Sequence, residues 1–154
     1  MPELSEINLN LLCVGDASLD GSEVVRHLAQ KEGIKVGDLV KINPDKYWTR
    51  AIAANWIACH NTHLNLIIGE PDTIIPALTP LLDHIDTDFN HKLAQGCQPL
   101  LGPHPEIQAM AGDANHSFVY CLPASPLVCE LAWQQLILPL FTAREEQKEN
   151  WAEI

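Results

Sequence analysis

The chain has 154 residues, a length that suits one domain of the commonest size with a real core. Its 47% hydrophobic content and mean hydropathy of -0.01 are those of an ordinary soluble globular protein. Twenty acids against nine bases leave a formal charge of -11, which excludes non-specific nucleic acid and anionic membrane as partners, because both modes need Lys and Arg clusters.

The N-terminus, "MPELSEINLN", has acids where a signal peptide needs bases, and no apolar run reaches transmembrane length, so a cytoplasmic protein is expected. "INLNLLCV", Ile7 to Val14, predicts a first strand that ends in a Gly15-Asp16 turn. "DGSEVVRHLAQKEG" predicts a helix capped by Asp20 or Ser22 and stopped at Gly33, with Val24, Val25 and Leu28 on its apolar face. Val36 to Ile42 reads as a second strand, alternating or edge-like. Asn43 before Pro44 signals the start of a second helix, "PDKYWTRAIAANWIACH", in which Trp48, Ile52 and Trp56 recur at helical spacing as a core face.

Leu64 to Ile68 is a third, buried strand. "IIPALTPLLDHI" predicts a short helix starting near Pro76 and shortened or distorted by Pro80. From Asp86 to Glu106 the pattern weakens around Pro99, Pro103 and Pro105, and the reading is an irregular excursion carrying one short helix at Phe89 to Ala94. His116 to Pro123 is the last strand. The last helix, "SPLVCELAWQQLILPLF", has Ser125 as N-cap and Pro126 at its first position. The tail from about residue 142 to 154 is charged, with Trp151 as its one candidate anchor. Alternation without repeats or a linker predicts a single α/β domain over 1–154, a three-layer α/β/α arrangement on a mainly parallel sheet.

The chain holds no G-x-S-x-G elbow and no G-x-x-x-x-G-K-[ST] loop, so it lacks the residues of serine-hydrolase or P-loop chemistry. Cys13, Cys59, Cys97, Cys121 and Cys129 form no C-x-x-C pair and read as reduced, mostly buried thiols. "CHNTH" sets His60 and His63 beside Cys59, where histidines complement a helix C-terminus more simply than they bind metal. Asp83, His84, Asp86, Asp88 and His91 gather in "LLDHIDTDFNH", a solvated acidic face or a weak divalent-cation site. "VYCLPASP" presents backbone N–H groups at a capped helix start, which is either a ligand-facing turn or an ordinary strand–helix junction.

The most informative stretch is "LNLIIGEPDT". In open α/β sheets, ligands bind beyond the carboxyl ends of such strands, and anion-binding turns there favour glycines. Here the turn is Gly69, Glu70, Pro71 and Asp72: one glycine, two carboxylates and a proline with no N–H. The location suits an anion and the furnishing repels one.

The order of segments resembles the molybdopterin-binding family that includes molybdenum cofactor biosynthesis protein B and the molybdopterin adenylyltransferases. The resemblance runs from about Ile7 to about Arg144 and is most specific in "IAANWIA", "LLDHIDTDF", "AMAGDANHSFVYCLPAS" and "AWQQLILP". It implies a three-layer α/β fold, a homo-oligomer (trimer or hexamer), a protein partner in the cofactor pathway, and molybdopterin held above the carboxyl ends of the strands.

The scaffold matches better than the chemistry. The family's Gly-Gly-Thr-Gly loop falls on Gly69, Glu70, Pro71 and Asp72, keeping only the first glycine. The segment that carries the family's functional aspartate is several residues shorter here and passes straight to "TIIPAL". Gly-Phe-Gly-Glu falls on Asp88, Phe89, Asn90 and His91 and keeps only the aromatic. Ser-Arg-Ala-x-Ala-Gly falls on Ile107, Gln108, Ala109, Met110, Ala111 and Gly112 and loses the serine and arginine. Pro-Gly-Ser becomes Pro123, Ala124 and Ser125, and the loop after the first strand is shortened around Asp16.

These departures share a direction. Two like unit charges about 4 Å apart at an effective dielectric of about 20 repel by roughly 4 kcal/mol, and a third of that is a tenfold loss of affinity. The expectation is a non-catalytic relative that keeps fold and oligomer but has lost its phosphate- and pterin-contacting residues and needs no cofactor. The alternative is an active molybdopterin-binding or adenylylating enzyme in which Glu70 and Asp72 hold Mg²⁺. A cation-responsive regulatory subunit is a third reading. Apolar helical faces carrying Trp48, Trp56 and Trp133 exceed one small core and favour subunit contacts.

Overall fold

The computed structural model describes residues 4–59, 62–103 and 105–146. Its six strands are β1 (Asn8–Val14), β2 (Lys35–Ile42), β3 (Leu64–Ile68), β4 (His84–Ile85), β5 (Met110–Ala114) and β6 (Ser117–Leu122). Its helices are α1 (Leu19–Lys31), α2 (Lys46–Ala58), α3 (Pro71–Leu78), α4 (Phe89–Leu101), α5 (Pro126–Ala132) and α6 (Leu138–Glu146), the last two joined by a π-helical turn at Trp133–Ile137. The strands form one sheet in the order β2-β1-β3-β6-β5-β4. β2, β1, β3 and β6 run parallel, and β5 runs antiparallel to both of its neighbours.

The side-chain period of two splits the strands cleanly between two cores. Leu9, Leu11, Leu64, Leu66, Ile68, Tyr120 and Leu122 face one way and pack with Val25 and Ala29 of α1, Leu93 of α4, and Val128 and Ala132 of α5. Leu12, Val14, Ile67, Val119 and Cys121 face the other way and pack with Ala53 and Trp56 of α2 and Ile74, Ala77 and Leu78 of α3. All five residues of β3 are buried, as a central parallel strand covered on both faces requires. The expected three-layer α/β/α fold is therefore present.

Several boundaries differ from expectation. The segment 86–106 holds the thirteen-residue α4 rather than a short helix in an irregular excursion. Buried Phe89, Leu93 and Cys97, spaced by four, bind it to the core and outweigh the hydrogen bond that Pro99 removes. β4 and β5 escaped the sequence reading because "MAGDA" lacks β-branched and aromatic residues. β5 exists because Asn115 and His116 both take positive φ, of 50° and 67°, and turn it back onto β6.

α3 starts at Pro71, not near Pro76, since a proline fits the first helical position best. α1 starts at Leu19 with Ser18, not Asp20 or Ser22, at its N-cap. α2 starts at Lys46, where the Asp45 side chain accepts from the Trp48 N–H at 2.9 Å; Asn43 and Pro44 lie before it. Its buried face is Thr49, Ala53 and Trp56, so Trp48 is not a core residue: it is 52% exposed. β2 is an edge strand, resolving the choice between an edge-like and an alternating strand.

Candidate functional site

The carboxyl ends of β1, β3 and β6 bring three turns together. Register places Cys13 beside Ile68 and Ile68 beside Leu122, so Gly15-Asp16, Gly69-Asp72 and Pro123-Ser125 emerge along one edge. Antiparallel β5 sets Met110 beside Cys121, which carries the preceding residues back to the same edge. The result is an open cleft of about 520 Å³ lined by Pro71, Pro105, Glu106, Ile107, Gln108 and Pro123.

Gly69 is buried and is a glycine for packing reasons. A Cβ there would lie 2.9 Å from both Val14 Cβ and the Val14 carbonyl oxygen, and 3.1 Å from Ile74 Cγ2. Its N–H donates to the Leu122 carbonyl at 3.1 Å, continuing the β3–β6 ladder past the strand end. Glu70 is the N-cap of α3 without a side-chain cap bond, Pro71 has no N–H, and the Thr73 N–H donates to the Glu70 carbonyl at 3.0 Å. The Glu70 and Asp72 side chains are exposed. The turn thus offers carboxylates and few backbone donors, the reverse of an anion cradle.

Asp16 is exposed on the turn after Gly15 and pairs with Lys41 of β2. The hydrogen bond from Lys41 holds its carboxyl below the usual carboxylate range. Ser125 accepts from the Val128 N–H at 3.3 Å as the N-cap of α5, and the Pro123 carbonyl accepts from the Cys129 thiol at 3.3 Å. Burial raises that thiol to about 12, so it stays protonated. Ala124 continues the same turn, half-buried.

Asp88 is exposed at the start of α4, and its N–H donates to Asp86 Oδ1 at 3.0 Å. Phe89 is buried, its ring 5.3 Å from that of Tyr120. Gly112 lies within the sheet opposite Ile85, where a Cβ would stand 2.3 Å from the His84 carbonyl oxygen. Gly112 is thus the residue that lets β4 approach β5.

Of the residues singled out by sequence, Pro71, Gln108 and Pro123 share the cleft. Pro105, Glu106 and Ile107 line it as well, and none of them was read as a site residue. Their signal is the hairpin: once β5 pairs with β6, whatever precedes Met110 must lie beside Pro123. Among the described residues no group of three His, Cys, Asp or Glu could hold a metal ion. His63 Nδ1 accepts from the Asn8 N–H at 3.1 Å, and His60 lies outside the described residues, as does Trp151. No helix among the described residues is long and apolar enough to cross a membrane.

The doubly covered, mainly parallel sheet is a fold that solved structures of molybdenum and tungsten cofactor biosynthesis proteins share. No protein-family model matches the chain. It is 29% identical over 136 residues to molybdenum cofactor biosynthesis protein B of Escherichia coli (strain K12), covering 84% of this chain and 80% of that one. A crystal structure of a molybdenum cofactor biosynthesis protein B superposes with a TM-score of 0.77 at 20% identity, covering 90% of this chain and 92% of that one. The tungsten cofactor synthesizing protein MoaB of Pyrococcus furiosus superposes with a TM-score of 0.76 at 15% identity, covering 95% and 98%. The chain is thus similar in sequence to molybdenum cofactor biosynthesis protein B and shares the fold of these solved structures.

Proposed function

We propose that this protein serves molybdenum cofactor biosynthesis as a non-catalytic member of its family. It keeps the fold and self-association, as a trimer or hexamer, and has lost the contacts to phosphate and pterin. Its work is then to scaffold a protein partner of the pathway in the cytoplasm, without a cofactor of its own. The observation that carries this reading is the Gly69–Asp72 turn. Its glycine N–H is engaged by the Leu122 carbonyl, its proline has none, and Glu70 and Asp72 put two exposed carboxylates on the turn. Gln108, at the family's arginine position, offers the cleft an amide and no charge.

The test is a fluorescence titration of the purified protein with molybdopterin, with and without ATP and Mg²⁺. Absence of saturation at concentrations that saturate an intact relative is the expected result. Saturable, Mg²⁺-dependent binding would overturn it and make Glu70 and Asp72 the candidate metal ligands of an active enzyme.

A further inference from the structure

The cleft at the carboxyl edge carries charge of one sign. Glu70 and Asp72 stand exposed on either side of Pro71, and Glu106 stands exposed on the segment that leads into β5. Among the described residues none of these three carboxylates has a cationic partner, whereas Asp16 at the β1 turn is taken up by Lys41. No Lys, Arg or His is among the described residues that line the cleft. Pro71, Pro105, Ile107 and Pro123 give it apolar walls.

One side of the same cleft is extended backbone. Glu106 and Gln108 are exposed while Ile107 and Ala109 are buried, which is the period of two of a strand. Asn90 Oδ1 accepts from the Ala109 N–H at 2.8 Å and ties the end of this stretch to α4. β5 begins only at Met110, so the ladder with β6 stops short of it. Among the described residues the main-chain groups of Glu106, Ile107 and Gln108 make no hydrogen bond. Strand-shaped backbone with unused donors and acceptors beside a cleft is what an extended peptide pairs with when it adds to a sheet.

We propose that this cleft receives an extended segment of a partner protein whose alternate side chains are Lys or Arg. The inference rests on the non-catalytic reading above, since a pterin and a peptide would compete for one cleft. The main chain from Glu106 to Gln108 pairs with the segment, and Glu70, Asp72 and Glu106 meet its cations. Each ion pair at so open a rim is weak by itself, so recognition comes from several of them together with the main-chain pairing. A free polyamine would use the carboxylates and leave the backbone groups and apolar walls idle, which is why a peptide is the occupant. An acidic or phosphorylated segment is refused by the same three carboxylates.

The test is fluorescence anisotropy of a short labelled peptide of alternating lysine and valine, titrated with the full-length protein. Saturable binding is expected, weakening about tenfold between low salt and about 0.5 M salt, and a glutamate–valine peptide should not bind. Glu70→Gln, Asp72→Asn and Glu106→Gln in one chain, shown to be folded by circular dichroism, should weaken binding about tenfold. Glu23→Gln, Glu32→Gln and Asp83→Asn remove as much charge elsewhere and should leave it unchanged. An equal loss in both triple variants would mean general attraction to an acidic protein and would overturn the cleft as the site. Displacement by spermine as readily as by unlabelled lysine peptide would overturn the extended occupant in favour of a free cation. Saturation with molybdopterin would overturn the non-catalytic reading and this occupant with it. Failure to bind either molybdopterin or the lysine peptide would overturn this inference alone.

Discussion

Two neighbouring turns at the carboxyl edge make an instructive pair. β3 and β6 are hydrogen-bonded partners, and each passes into a helix whose first residue is a proline, Pro71 or Pro126. At the β6 turn Ser125 caps its helix with a hydroxyl oxygen on the Val128 N–H. At the β3 turn Glu70 makes no side-chain cap bond, and Gly69 is wedged against Val14. The same place in the same fold thus holds one turn built for its helix and one whose glycine serves the sheet. A position over the strand ends makes a binding site only where the turn also has donors to offer.

That contrast can be broken at its tightest point. Gly69→Ala places a methyl group within 3 Å of Val14 and is expected to cost about 2 kcal/mol, as overpacking does, or about 6 °C in thermal melting. No loss of melting temperature would show that the β1–β3 approach is loose. Next in size is a gain. Glu70→Gly, Pro71→Thr and Asp72→Gly together build the Gly-Gly-Thr-Gly loop that the resemblance implies and should strengthen binding of a phosphorylated pterin about tenfold, since they remove two like charges and supply a donor. Isothermal titration with the native and rebuilt proteins reads this directly. An unchanged affinity would mean that the loop is not what separates this chain from a binding relative.

Ser125→Ala removes the cap that distinguishes the β6 turn and should cost about 1 kcal/mol, or about 3 °C. Glu70→Ala at the other turn should cost less, because no cap bond is there to lose. The smallest effect is at the far edge of the sheet. The hydrogen bond to Asp113 raises the fully exposed His84 above its ordinary 6.5. Its stabilisation is therefore present below about pH 6.5 and is lost as pH rises through the raised folded value. Melting curves across that window should show a small decline with rising pH that His84→Asn abolishes.

Much of the scaffold was legible because its signals are local. Leu64 to Ile68 is apolar throughout and is buried throughout. Ser125 with Pro126 reads as a helix start and is one. The parts that were illegible depend on distant partners. Nothing within "MAGDA" announces a strand; it becomes one by pairing with β6 after a left-handed turn at Asn115 and His116. α4 runs through Pro99 because three of its residues are buried, a contribution that helix propensity does not include. Trp48 sits at core spacing with Trp56 yet lies in solvent, because β2 is an edge strand with no further strand beside it.

The site divides in the same way. The amino-acid sequence by itself determined that the Gly69–Asp72 turn carries two carboxylates and lacks a proline donor, since charge and the missing N–H are properties of residue types. It also determined a covered parallel sheet, through apolar strands alternating with amphipathic helices. Only the tertiary structure decided that Gly69 is held by Val14 and Leu122 and that Pro105 and Glu106 join the cleft. It alone set β2 and β4 at opposite edges of one sheet. Those outcomes depend on which strands lie side by side, and long-range strand pairing is written in no single segment of the chain.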